Sequence, residues 1–261
     1  MLWFIAHTEL LFPVSLIGLM LAVELGLRLR HASNFDAERQ SLIESARDGL
    51  RVLLSLLLGF SLPMAVPHYE QRNQLVVDEA NAIATVEQRA QMLPEPFRSE
   101  ILRSLRDYVD ARMEFVSAGS DEPKMLSAVD HAKHLQNQMW QEAVMLVQEK
   151  PNVVTPIFVQ ALGQLADLIE QRLAAAEKHI PGPIWMILIL ISVLTCLVVG
   201  FSLRRRMLVA MLAVPLTVAI VLTLVSELDN PRTGFVRVNQ ESMQRVQSDL
   251  HAEVVSGGAS P

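Results

Sequence analysis

Two uncharged runs, Ile184 to Leu203 and Met207 to Ser226, constrain this chain more than any other feature. Each holds about 20 apolar residues, the length at which a helix rising about 1.5 Å per residue crosses about 30 Å of hydrocarbon. Only Arg204, Arg205 and Arg206 lie between them. The pair therefore predicts a membrane-spanning helical hairpin with a basic tip, whose arginines are suited to anionic headgroups.

The search for further spans follows from the composition. Of the 261 residues, 51% are hydrophobic and 19% charged, which is apolar for a soluble chain. The run between Arg51 and Glu70 is uncharged, and the run from Leu10 to Leu27 is broken only by Glu24. No Lys or Arg precedes Arg28 and no clear small-residue cleavage site is present, so the first run reads as a retained span. Glu24 sits one helical turn before Arg28, a spacing that predicts an i,i+4 pair at the membrane edge.

The segment between spans two and three is different in kind. Residues 68–183 carry 17 Asp/Glu against 11 Lys/Arg, enough to account for the chain's net charge of −6. Such an acidic region argues against a nucleic-acid partner. Apolar residues recur every three or four positions: Val76, Ala80, Ile83, Val86, Ala90 and Leu93; then Leu102, Leu105, Val109, Arg112 and Val116. Two more sets follow, Leu126 to Leu146 and Phe158 to Ala176. This spacing places an apolar stripe along each of about four helices. Turn chemistry separates them at Pro94 and Pro96, at "SAGSDEP", at "KPN" and at "PGP". No strand pattern is visible.

The predicted fold is all-α and polytopic, with four transmembrane helices and a helical extramembrane domain between spans two and three. The division is 1–29 for the first span, 30–50 for a basic connection and 51–69 for the second span. Residues 70–183 form the acidic helical domain. Then come 184–203 for the third span, 204–206 for the tip, 207–226 for the fourth span and 227–261 for an amphipathic tail with a disordered end.

Little here points to catalysis. Cys196 is the only cysteine, and no glycine-rich phosphate loop, nucleophile elbow or zinc-protease motif occurs. His131 and His134 with Asp130 have metal-compatible spacing but no third strong ligand nearby, so they read as a solvated face. No enzyme activity, metal or cofactor is expected. Asp78 and Glu79 read as interhelical hydrogen-bond partners, with Arg72 or Arg89 as mates. Asp167 and Arg172 fall in the same category, and Asn81 sits among small residues where it could bond between helices. Pro63 and Pro67, four residues apart, each remove a backbone donor near the end of span two. They predict a kink, either at the membrane edge or lining a passage.

Several short motifs carry a resemblance. "LLGF" at Leu57 to Phe60, a junction bearing Tyr69 and Arg72, and "QLVVDEANAIA" at Gln74 to Ala84 are similar to the bestrophin-like family of mostly bacterial membrane proteins, and more distantly to the bestrophin anion channels. "IPGPIW" at Ile180 to Trp185 resembles that family's entry to the third span. "ELDNPRTGFVRVNQESMQRVQSDL" at Glu227 to Leu250 looks like its post-membrane motif, with Glu227, Asp229, Pro231 and Gly234.

The resemblance implies that span two and the first polar helix are one continuous helix. It also implies five copies around a pore whose neck is lined by the Phe of "LGF". Carried over, that residue is Phe60, and helical spacing adds Leu56 and Val52 on the same face. The acidic run that follows the fourth span in bestrophins is reduced here to Glu227 and Asp229, and no metal site is carried over. The implied location is a bacterial plasma membrane.

Orientation is read two ways. Eight Lys/Arg flank the spans on the side of the tip and six on the side of the domain, which favours a cytoplasmic tip. The resemblance instead places the domain in the cytoplasm, and the reading follows it. Two functions stay open: a homo-oligomeric anion channel or passive transporter, and a membrane-anchored helical sensor or scaffold without transport.

Overall fold

The computed structural model describes residues 8–31, 37–119, 121–150, 152–203, 206–230 and 236–257. The described residues are helical, joined by turns and short extended segments, with no strand among them. The helices are α1 (Thr8–His31), α2 (Ala37–Ala90), α3 (Phe97–Ser117), α4 (Glu122–Glu149), α5 (Thr155–Glu177), α6 (Gly182–Ser202), α7 (Leu208–Asp229) and α8 (Glu241–Gly257). Four stretches are long and apolar enough to cross a membrane. They lie in α1, in α2, in Thr155–Ser202, which ends with α6, and in α7. The protein is an all-α polytopic membrane protein. Its chain divides into two compact units, residues 1–69 with 179–237 and residues 70–178 with 238–261.

In the first unit, α1 packs on α6 and α7. Its apolar core draws Leu19 and Val23 from α1, Leu54 and Ala65 from α2, Trp185, Leu188 and Cys196 from α6, and Val218, Leu222 and Val225 from α7. Hydroxyls on these helices donate back to their own turns: Ser192 Oγ to Leu188 O at 2.6 Å and Thr195 Oγ1 to Ile191 O at 2.7 Å on α6. Thr223 Oγ1 to Ala219 O at 2.8 Å does the same on α7. Water is absent from hydrocarbon, so this internal satisfaction is what admits Ser and Thr to a span.

Two glycines set how closely α1 and α6 approach. A Cβ on Gly26 would overlap the Leu197 carbonyl oxygen and lie 2.8 Å from Phe201 N. A Cβ on Gly200 would overlap the Val23 carbonyl oxygen and lie 2.7 Å from its carbon. The two helices therefore meet backbone to backbone, the small-residue contact that lets spans associate where no hydrophobic force between them exists.

α2 contains both Pro63 and Pro67 and still continues from Ala37 to Ala90. The prolines do not end it, and residues assigned by sequence to the basic connection are already helical from Ala37 onward.

In the second unit, the predicted stripes converge on one core. Ile83, Val86 and Ala90 come from α2, Ile101, Leu105 and Val109 from α3, Leu135, Met139 and Leu146 from α4, and Phe158, Leu162 and Leu165 from α5. Val116 and Leu126, at the ends of their stripes, are exposed instead. Side chains accept from the first backbone donors of α4 and α5. Asp121 accepts from Lys124 N at 3.3 Å ahead of α4. Asn152 Oδ1 accepts from Val154 N and Thr155 N, both at 2.8 Å, ahead of α5.

The tail supplies part of this core. Met243 and Leu250 of α8 are buried in it, and Gln247 Nε2 donates to Asp110 Oδ1 of α3 at 2.7 Å. Of the end from Ser256 expected to be disordered, Ser256 and Gly257 belong to α8, and residues 258–261 lie outside the described residues.

Candidate functional site

The membrane part of α2 has two unlike faces. Leu54, Ser61 and Ala65 are 4%, 2% and 0% exposed and pack into the first unit, whereas Val52, Leu56 and Phe60 are 70%, 53% and 61% exposed. The last three stand four residues apart, so they form one apolar strip on the opposite side. It carries no charge and ends in an aromatic ring whose edge bears partial positive charge.

The two carboxylates of the post-membrane motif, at the end of α7, are buried. Glu227 and Asp229 are 5% and 3% exposed. Asp229 Oδ1 accepts from Ile180 N at 2.9 Å, holding the entry to α6 against the end of α7. Pro231 and Gly234 lie outside the described residues. Two histidines that the sequence reading passed over face the same carboxylate. His68 Nδ1 is 3.8 Å from Asp229 Oδ1 and His179 Nδ1 is 3.8 Å from Oδ2.

At the other end of the spans, Arg28 Nε meets Glu24 Oε1 at 3.0 Å, the predicted i,i+4 pair. Arg206 Nη2 reaches the same oxygen at 2.5 Å.

Within the second unit, Glu79 is fully buried. Tyr108 donates to its Oε1 at 2.6 Å, Arg112 donates to Oε1 at 3.0 Å and Oε2 at 3.2 Å, and Arg172 donates to Oε2. Burial pushes the Glu79 carboxyl up, but Arg112, Arg172 and the Tyr108 hydroxyl outweigh it and hold the group below the usual carboxylate range. Burial, then the Glu79 charge, push the Tyr108 phenol well above its ordinary value. For Arg112 burial opposes the charged form, and Glu79 outweighs it, so this arginine titrates above its usual range.

Glu79 and Arg172 are thus brought together. Arg72 and Arg89, the arginines expected as mates, both donate to backbone carbonyls. Arg72 donates to Ala175 O at 2.9 Å and Lys178 O at 2.6 Å, and Arg89 donates to Ile157 O at 2.7 Å. Asp78 accepts from Gln74 within its own helix at 2.9 Å, and Asn81 and Asp167 are exposed. His131 and His134 are exposed as well. Arg112 and Tyr108 were missed as partners, although the sequence signal existed: an arginine at a core-facing position of an apolar stripe needs a buried anion.

Arg72 occupies the carbonyls that a helix leaves unsatisfied at its C-terminus. Arg72→Met should cost about 1–3 kcal/mol and raise amide hydrogen exchange over the last turn of α5. Unchanged exchange there would show that the cap is dispensable.

The comparisons identify the family. The model of the Bestrophin-like domain matches residues 14–243. The chain belongs to the bestrophin-like family. No functionally curated protein matches it. Solved structures of a bacterial bestrophin homolog from Klebsiella pneumoniae share the fold. A tryptophan-to-alanine variant has TM-score 0.66 at 13% identity, covering 92% of this chain and 96% of that one. A leucine-to-threonine variant has TM-score 0.64 at 14% identity, covering 95% and 98%. The structure phased on zinc has TM-score 0.63 at 14% identity, covering 97% and 99%. At such identities the likeness carries the bestrophin fold and not the roles of individual residues.

Proposed function

We propose that this bestrophin-like protein is a homo-oligomeric anion channel or passive transporter, with Val52, Leu56 and Phe60 lining an apolar neck. The observation that carries this reading is the two-faced second span, packed on Leu54, Ser61 and Ala65 and exposed along Val52, Leu56 and Phe60. A ring of such helices, one from each copy, would enclose that strip. An apolar constriction gates by dewetting, and aromatic edges favour passing anions. The family supports a pentamer in a bacterial plasma membrane with the acidic domain on the cytoplasmic side.

The test is chloride flux into liposomes holding purified protein, with empty liposomes as control. Wild type should exceed the control, and Phe60→Ala should raise flux several-fold by widening and wetting the neck. A folded oligomer with no flux, tested on both faces, would sink the channel reading and favour a membrane-anchored sensor or scaffold. A flux unaltered by Phe60→Ala would remove the neck from this position.

A further inference from the structure

The buried junction at the end of span two holds an arrangement that the channel reading does not use. The His68 side chain is 17% exposed and the Asp229 side chain 4%. His68 Nδ1 is buried and has no hydrogen-bond partner among the described residues. It stands 3.8 Å from Asp229 Oδ1, too far for a hydrogen bond but close for two charges. Asp229 is anchored where it is: Oδ1 accepts the Ile180 N–H at 2.9 Å, and the residue has further contacts. His179 approaches from the other side, its Nδ1 3.2 Å from the Asp229 carbonyl oxygen and 3.8 Å from Oδ2.

A neutral imidazole that carries its proton on Nε2 points a lone pair from Nδ1 at this carboxylate, which is an unfavourable contact between two acceptors. Protonation turns Nδ1 into a charged donor, and a movement of about 1 Å closes the gap to the length of a charge-assisted hydrogen bond. Imidazole is the side chain whose charge changes between about pH 5 and 8.

We infer that His68, Asp229 and His179 form an acid-tightened latch joining the end of span two to the end of α7 and the entry to α6. The position suits such a device. Pro63 and Pro67 deprive the preceding turns of α2 of backbone donors, so a side-chain tie there has more to hold. The other titratable or charged groups near His68 are Tyr69, Glu70 and Arg72 within about one turn of α2 and His179 on the other side of Asp229; Arg72 is a cation, so it opposes the protonation that Asp229 favours. Tyr69 is engaged through its hydroxyl, which donates to Arg237 O at 3.1 Å.

The sign follows from the charges. The folded protein offers the histidine cation a fixed anion that the unfolded chain lacks. The stabilisation is therefore present at low pH and lost as pH rises through the imidazole range.

The latch is independent of conduction and is tested by thermal unfolding of the full chain in detergent, from about pH 8 to about pH 5.5. Wild type should gain about 2–4 °C over His68→Gln as pH falls. Effects of other acids and bases are common to both proteins and cancel in the difference. Asp229→Asn keeps an oxygen for Ile180 N–H and should also flatten the dependence, while His179→Gln separates the contribution of the second ring. A merely structural role for His68 would offset the two curves by a constant. Parallel wild-type and His68→Gln curves would overturn the latch. Should Asp229→Asn fail to fold, the comparison with His68→Gln still decides.

Discussion

Gly200→Val should abolish the packing of the first span on the third. The added Cβ would overlap the carbonyl oxygen of Val23 and stand 2.9 Å from the Val23 Cα. Overpacking in a core typically costs about 1–3 kcal/mol, because a neighbouring side chain can rotate aside. Backbone cannot, so here the helices must separate, and α1 loses its contact with α6 along its length. The expected result is a collapse in the yield of monodisperse protein in detergent. Gly26→Val should do the same from the facing side, where the obstacles are Leu197 and Phe201. The double variant should be scarcely worse than either single one, since the second bulky group enters a gap already opened. Gly18→Ala and Gly59→Ala serve as controls, because a Cβ at either position meets nothing within 4 Å. A Gly200→Val protein that melts like wild type would refute the close crossing.

The second large effect is expected at Glu79. Removing its charge as Glu79→Gln leaves Arg112 and Arg172 facing each other, with side chains only 11% and 16% exposed. Breaking a buried ion pair from one side typically costs about 3–5 kcal/mol, because the remaining charge stays desolvated. The loss should be read as a lower midpoint in chemical denaturation. Arg112→Met in the Glu79→Gln background should recover part of it by removing one stranded cation. If Glu79→Gln proves neutral, the network contributes nothing to holding the domain together.

The same carboxylate gives a pH signature opposite in sign to that of the His68 latch. Its folded-state titration lies below the ordinary value of 4.5. Its contribution is therefore complete above that value and is lost as pH falls through the folded titration point. Glu79→Gln should erase that acid-induced loss, while leaving any change between about pH 5 and 8 in place.

These two sites mark the limits of what the sequence made legible. The spans were readable because length and hydropathy are local properties, and the domain helices because their stripes repeat every three or four residues. Pro63 and Pro67 each remove one backbone donor, and α2 stays helical through both.

Partners far apart in the chain were the hidden part. Glu79 meets residues 29, 33 and 93 positions away; Arg112 carries a local signal in its place within an apolar stripe, but nothing local distinguishes Arg172 from Arg72 or Arg89 as a mate. Gly26 closes a small-residue series with Gly18 and Ala22, and Gly200 one with Ser192 and Cys196, yet only the crossing itself shows which members meet backbone. His68 and His179 sit in unremarkable contexts and become neighbours only through Asp229.

The burial of Met243 and Leu250 within the second unit has a consequence for the order in which the protein is made. Helices α2 to α5 emerge from the ribosome early, before the last two spans exist. The segment that completes their core, α8, is translated only after α7. During synthesis the domain therefore waits, with the apolar surface later covered by α8 exposed, until the final membrane hairpin has been made. Maturation of the soluble part is thereby coupled to completion of the membrane part, and a nascent chain stalled before α8 would present that uncovered surface as its mark of incompleteness.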